Sequence, residues 1–290
     1  MQSIQHPTAQ DLPRLREIWA ECFPDDIDSG YCDFFFANYY KPEHTLVLRE
    51  EEIETMGYFF RGTHRGDDGI VRGYLYLYAA GTAKAYRGRN NLSRLVEEGM
   101  AYARRLGFAG MFVTAAEGIE FLYDRCGFRR TSDLFSYTAP AQLAAGEVAK
   151  LTLCPYGLFS ELRGNYLASL DCAFGWQPET EMFMYKELNL VGKVLLASWQ
   201  GRSHYVCCTN EQELILRETD APEELLPSLT AAVRAYFGGG ETILCRHTQS
   251  QVLLQAGFAE SQEYYGHYRL LADYPGSEKL PNAYLNLIAD

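Results

Sequence analysis

The feature that most constrains this chain is a strand, a basic turn and a helix in direct succession. Tyr74-Leu75-Tyr76-Leu77-Tyr78 reads as a strand, and Tyr86-Arg87-Gly88-Arg89-Asn90-Asn91-Leu92-Ser93 is a cationic turn containing glycine. A helix opens near Leu92, its apolar stripe formed by Leu92, Leu95, Val96, Met100, Ala103 and Leu106, with Gly107 placed to stop it. The first N–H groups of a helix lack intrahelical acceptors, and the macrodipole is positive there. With Arg87 and Arg89 added, the turn is a ready cradle for an anionic group such as a pyrophosphate. A second strand follows at residues 110–114, then a short helix at 118–126 that ends Tyr123-Asp124-Arg125-Cys126-Gly127-Phe128.

This succession resembles the GCN5-related N-acetyltransferases, the GNAT superfamily. Their acetyl-coenzyme A loop reads Gln/Arg-x-x-Gly-x-Gly/Ala and is matched here as Arg87-x-x-Asn90-x-Leu92, so both small-residue positions differ. Their later Tyr-x-x-x-Gly-Phe helix is matched by Tyr123, Gly127 and Phe128. The resemblance implies an α/β (α+β) fold with a mixed central sheet flanked by helices, acetyl-CoA as donor and an amine as acceptor. It places the cofactor on Arg87, Gly88, Arg89, Asn90, Asn91, Leu92 and Ser93, with backbone groups of Ala80, Gly81 and Thr82 toward the acetyl and pantetheine parts. By the same resemblance Tyr123 is the acid that protonates the departing thiolate. Asn90 is the non-glycine residue type that best tolerates a left-handed turn. Leu92 either crowds a bound phosphate or is the first core residue of its helix. Glu117, Glu120 and Asp124 lie near the second motif as carboxylates, and no base is assigned, since many such enzymes use a water chain instead.

At 290 residues the chain can hold two cores. The alanine-rich stretch after Thr138 reads as a linker, giving an acetyl-CoA-binding domain at 1–138 and a second at 150–290. The order of the first half recurs in the second: strand at 213–217, helix at 225–237 with Pro227 in or near its first turn, strand at 242–245, and a short helix ending Gly257-Phe258. The resemblance extends to tandem GNAT arrangements with a degenerate second copy. There the corresponding turn, Glu218-Thr219-Asp220-Ala221-Pro222-Glu223-Glu224, would repel a pyrophosphate.

A net charge of −12 argues against a broad nucleic-acid surface and weakly favours a cationic acceptor. No apolar run approaches a membrane span, and residues 1–7 lack the basic-then-apolar organisation of a signal segment. Eight cysteines without Cys-x-x-Cys pairing point to reduced thiols and a cytoplasmic setting. Cys207 and Cys208, adjacent on a strand, should point to opposite faces. The six histidines are scattered, with no pair at metal spacing. Near the N-terminus Thr8 is placed to cap a helix, and residues 24–29 read as a turn before a second helix carrying Phe34, Phe35, Phe36, Tyr39 and Tyr40. That aromatic block either packs in the core or lines an acceptor pocket. Two rival readings are a non-catalytic module that binds acyl-CoA or a protein, and a tandem GNAT-fold transferase taking amino acids from aminoacyl-tRNA. The final residues carry Tyr284, Leu285, Leu287 and Ile288, which should dock as a closing strand. Relatives of the Eis type bring a C-terminal carboxylate into the active site, which would give Ala289-Asp290 a role.

Overall fold

A computed structural model describes residues 3–116, 118–143 and 149–285. Glu117, part of the linker and the tail from 286 to 290, including Ala289-Asp290, lie outside the described residues.

The chain forms two compact units, Met1–Arg130 with Gly266–Glu278, and Thr131–Tyr265 with Lys279–Asp290. Each takes in a piece of the half that the sequence assigned to the other. The first unit begins with β1 (Ser3–Gln5), α1 (Leu12–Cys22), α2 (Pro24–Asp28) and α3 (Tyr31–Asn38). It continues through β2 (Thr45–Arg49), β3 (Ile53–Arg65), β4 (Val71–Thr82), α4 (Asn91–Arg105), β5 (Gly110–Val113) and α5 (Glu120–Arg125). The second holds β6 (Arg129–Thr138) from residue 131, β7 (Ala149–Leu153), α6 (Tyr156–Ser169), β8 (Phe174–Trp176), α7 (Pro178–Val191), β9 (Gly192–Trp199) and β10 (Arg202–Asn210). It then repeats the earlier order as β11 (Leu214–Thr219), α8 (Leu226–Tyr236), β12 (Thr242–Arg246) and α9 (Gln251–Gln255). The last strand, β13 (Ala259–Leu270), belongs to the second unit up to residue 265 and to the first from Gly266.

In the first unit β1 to β5 lie side by side, antiparallel except that β4 and β5 run parallel. The free side of β5 takes the end of β13 antiparallel, His267 opposite Val113 and Leu270 opposite Gly110. In the second unit β11 and β12 are the parallel pair, and β12 takes β6 antiparallel, with Ile243 opposite Thr138.

Strand alternation explains how both faces of the first unit are filled. Phe59, Leu75 and Leu77 meet Leu95, Val96, Met100 and Ala103 of α4 in one core cluster. Tyr58 and Phe60 point the other way, to Trp19 and Phe35, whose ring centroids are 4.8 Å apart. The block after Phe34 is thus mainly core: Phe35 and Tyr39 are buried, and Phe36 nearly so. At the N-terminus the Asp11 carboxylate accepts from the Thr8 N–H at 2.7 Å, holding the entry to α1.

Several expectations change. Residues 24–28 are a helix, not a turn: Pro24 sits in its first turn, and Asp26 accepts the Trp19 Nε1–H at 2.8 Å. The helix expected from 118 starts at Glu120. Pro227 does fall in the first turn of α8, and Gly238, Gly239 and Gly240 end it with φ of 87°, 106° and 105°. Cys207 and Cys208 are both fully buried, with a shift in the β10–β11 register between them. Tyr284 and Leu285 are buried, yet Tyr284 makes an isolated bridge to Ala173 rather than a strand.

A packing test follows from Gly110, where an added Cβ would stand 2.2 Å from the Arg269 carbonyl oxygen. Backbone cannot yield as a flexible side chain does, so Gly110→Val should cost at least about 1–3 kcal/mol. Thermal unfolding measures it, and an unchanged midpoint would contradict the close approach of β13 to β5.

Candidate active site at the parting of β4 and β5

Tyr74, Leu75 and Tyr76 of β4 pair with Gly110, Met111 and Phe112 of β5, and there the parallel pairing stops, although β4 continues to Thr82. Across on β3, Tyr58 faces Tyr78 and Met56 faces Gly81, so Ala79 and Ala80 together oppose Gly57. This is a β-bulge, with Ala79 at φ 43°, and it frees backbone groups of β4 from the ladder at the mouth of the parting.

The chain then turns through residues 84–86 into α4. Several bonds fix that path: Ala83 N–H to the Glu54 carbonyl at 2.9 Å, Lys84 N–H to the Glu21 carboxylate at 2.7 Å, and Tyr86 O–H to Glu52 at 2.6 Å. Gly88 has φ 76° and Asn90 φ 61°, ψ 23°, so Asn90 adopts the left-handed conformation directly before the helix. Asn91 is buried, and its Nδ2–H donates to Glu54 at 3.1 Å. Its Oδ1 is buried too and has no hydrogen-bond partner among the described residues.

Below this turn lies a cavity of about 600 Å³. Thr82, Arg87, Gly88, Asn90, Asn91, Leu92 and Ser93 line it, which brings together most of the residues singled out from the sequence. Tyr86 joins them, and α5 adds Leu122 and Arg125 one helical turn apart. These three were not singled out; the i, i+3 spacing of Leu122 and Arg125 beside Tyr123 was the available signal. Leu92 lines the cavity and also packs against the α4 core.

Arg87 is exposed, its Nε–H donating to the Thr82 carbonyl at 3.1 Å and an Nη–H meeting Cys22 Sγ at 3.6 Å. Arg89 folds over the Tyr86 ring at 5.0 Å and does not line the cavity. Ala80, Gly81 and Tyr123 do not line it either. Tyr123 is buried in the α4 core cluster, edge-on to Phe128 at 5.7 Å. Burial, and secondarily Cys126, push its phenol up to about 12.

The residues present suit a pyrophosphate with an amide-bearing arm. The helix N-terminus, Arg87 and Arg125 offer positive charge to the anion. Asn91, one of the lining residues, holds a buried Oδ1 without a hydrogen-bond partner among the described residues.

The structure is similar to solved GCN5-related N-acetyltransferases from Anabaena variabilis ATCC 29413 and Kribbella flavida. The first has TM-score 0.76 and 14% identity over 94% of this chain and 73% of that one. The second has TM-score 0.71 and 16% identity over 93% and 72%. Eis1 from Mycobacterium abscessus is similar at TM-score 0.59 and 12% identity, over 93% and 73%. No family model matches the sequence, and no curated protein does. The chain has the GNAT fold, a mixed sheet flanked by helices, as the resemblance implied.

The left-handed residue before α4 is directly testable. Asn90→Gly should leave stability within about 0.5 kcal/mol, whereas the β-branched Asn90→Val should lose about 1–3 kcal/mol. Chemical denaturation compares them, and equal stabilities would show that the turn does not hold this conformation.

Proposed function

We propose that this protein is a GNAT-type N-acetyltransferase that moves an acetyl group from acetyl-CoA to an amine. The observation that carries this reading is the α4 N-terminus. Entered through left-handed Asn90 and flanked by Arg87 and Arg125, it opens on a cavity beside the parting of β4 and β5. In open sheets with parallel strands, ligands bind where neighbouring strand ends diverge.

In this reading Arg87, Arg125 and the first N–H groups of α4 hold the phosphates, and Asn91 Oδ1 takes an amide N–H. The freed β4 backbone from Ala80 to Thr82 orients the acyl end. Acetyl-CoA supplies an activated acetyl thioester. Tyr123 keeps its proton at neutral pH because burial disfavours the phenolate, and it would give that proton to the departing sulfur. The chain is read as two tandem GNAT-like domains, roughly 1–138 and 150–290, the second without a working coenzyme A turn. Eight free cysteines fit a reducing, cytoplasmic setting. Among the described residues no helix is long and apolar enough to cross a membrane.

Calorimetry with acetyl-CoA, followed by free-thiol release over a panel of amines, tests the proposal. Binding without thiol release for any amine would favour a non-catalytic acyl-CoA-binding module. Absence of binding would remove the reading. Arg87→Ala and Arg125→Ala should each weaken binding by about 1–3 kcal/mol.

Tyr123→Phe should lower kcat by about 10²–10⁴-fold with acetyl-CoA affinity nearly unchanged. Full activity in that variant would return Tyr123 to core packing alone.

A further inference from the structure

His267 reaches the first unit on the end of β13, opposite Val113, the last residue of β5. It is 1% exposed, and neither ring nitrogen has a hydrogen-bond partner among the described residues. A buried imidazole with two unanswered nitrogens is costly, and such groups in a folded protein ask for a reason. Two neighbours give one. Its ring lies 6.1 Å from that of Tyr123, tilted by 34°, and its Nε2 is 3.9 Å from Asp124 Oδ1. Asp124 is the residue after Tyr123 on α5, and its side chain is 44% exposed. A path of titratable groups therefore runs from solvent, past Asp124, to a buried imidazole beside the buried phenol.

We propose that His267 is a positioning residue that acts through Tyr123, relaying protons between the Asp124 surface and the phenol. This rests on the acetyltransferase reading. The acceptor amine loses one N–H proton to solvent as its C–N bond forms and the C–S bond breaks. Tyr123 gives its phenolic proton to the departing sulfur. With the imidazole turned into hydrogen-bond reach of the phenol during turnover, His267 passes a proton from one ring nitrogen to the phenolate oxygen and takes one on the other nitrogen from solvent at Asp124. Charge and protons balance; the imidazole ends as its other tautomer and returns to the first by proton exchange with solvent at Asp124.

The groups around the imidazole suit that part. Asp124 and Glu120 of α5 favour its protonated form, while Arg130 at the start of β6 opposes it, as burial does more strongly. Strand β5 brings no titratable side chain to it. On its own strand Arg269 is engaged by Glu97 at 2.6 Å. The balance leaves His267 below its ordinary value and neutral at pH 7, so both nitrogens are in the donor-and-acceptor state a relay needs.

The test has two arms. In histidine-labelled protein, the His267 imidazole is titrated by NMR with and without Asp124→Asn. Loss of the carboxylate should lower its pKa by about half a unit or more, and an unmoved titration overturns the proposal without reference to activity. In the second arm, His267→Ala should bind acetyl-CoA as the wild type does. It should release thiol at least about ten-fold more slowly and recover part of that rate with added imidazole, which a merely structural histidine would not allow. Undiminished turnover, or a loss that imidazole does not relieve, overturns it. If His267→Ala fails to fold, the titration decides alone. Wild-type protein that binds no acetyl-CoA overturns both the acetyltransferase reading and the relay. A wild type that binds and turns over beside an indifferent His267→Ala overturns only the relay.

Discussion

The parallel pairing of β4 with β5 lasts three residues, and the site depends on where it stops. Had it continued, the backbone of β4 from Leu77 to Thr82 would be consumed by the ladder, and α4 would start over a closed sheet. Instead β5 ends at Val113, and a bulge at Ala79 and Ala80 shifts the register of β4 on its other side, against β3. The chain then enters α4 through a left-handed residue, and the first residues of the helix line the cavity.

The second unit has a short parallel pair of its own. Leu214, Ile215 and Leu216 of β11 pair with β12, again three residues in parallel. Beyond them the register slips, with Cys208 facing Leu216 but Cys207 facing Glu218. Where the first unit has small residues, this one has Glu218, held by Arg163 Nε–H at 2.7 Å and by the hydroxyls of Tyr205 and Tyr284. Arg163 is wholly buried and also meets Glu181 at 3.3 Å. Removing one partner from a buried ion pair typically costs about 3–5 kcal/mol, so the network is not easily displaced by a ligand. Together with the acidic turn, it puts buried, hydrogen-bonded charge at the place in this unit that small residues hold in β4.

Much of the first unit was legible because its signals are local. The α4 stripe, the stop at Gly107 and the demand for a left-handed residue at Asn90 follow from spacing and backbone sterics within a few residues. Pro24 with Asp25 and Asp26 fits a turn as well as a first helical turn, and only the long-range bond from Trp19 decides for the helix. Helices α6 and α7 escaped notice because their buried sides include Arg163, Glu181 and Glu187, which blur the apolar period. The donation of β13 to β5 could not be read, since antiparallel partners leave no spacing signal. His267 therefore looked like one scattered histidine among six. Arg125 was within reach of sequence reasoning and Tyr123 was named, yet the two face different ways, one to the cavity and the other to the core.

That division bears on the chemistry asked of Tyr123. With the phenol at about 12 and an ordinary thiol near about 8.5, complete proton transfer to sulfur runs uphill by roughly 3.5 units, or about 5 kcal/mol. That uphill step is the cost of burying a phenolate among Phe128, Cys126 and the α4 stripe, where little solvates the anion. A direct neighbour that can return a proton as the first one leaves removes the need to form that anion fully. The His267 ring lies 6.1 Å from that of Tyr123, and neither of its nitrogens has a hydrogen-bond partner among the described residues, whereas a phenylalanine or leucine there would carry no polar atoms to satisfy. The cost of keeping an unpartnered imidazole in the core makes sense if the energetics of Tyr123 demand it.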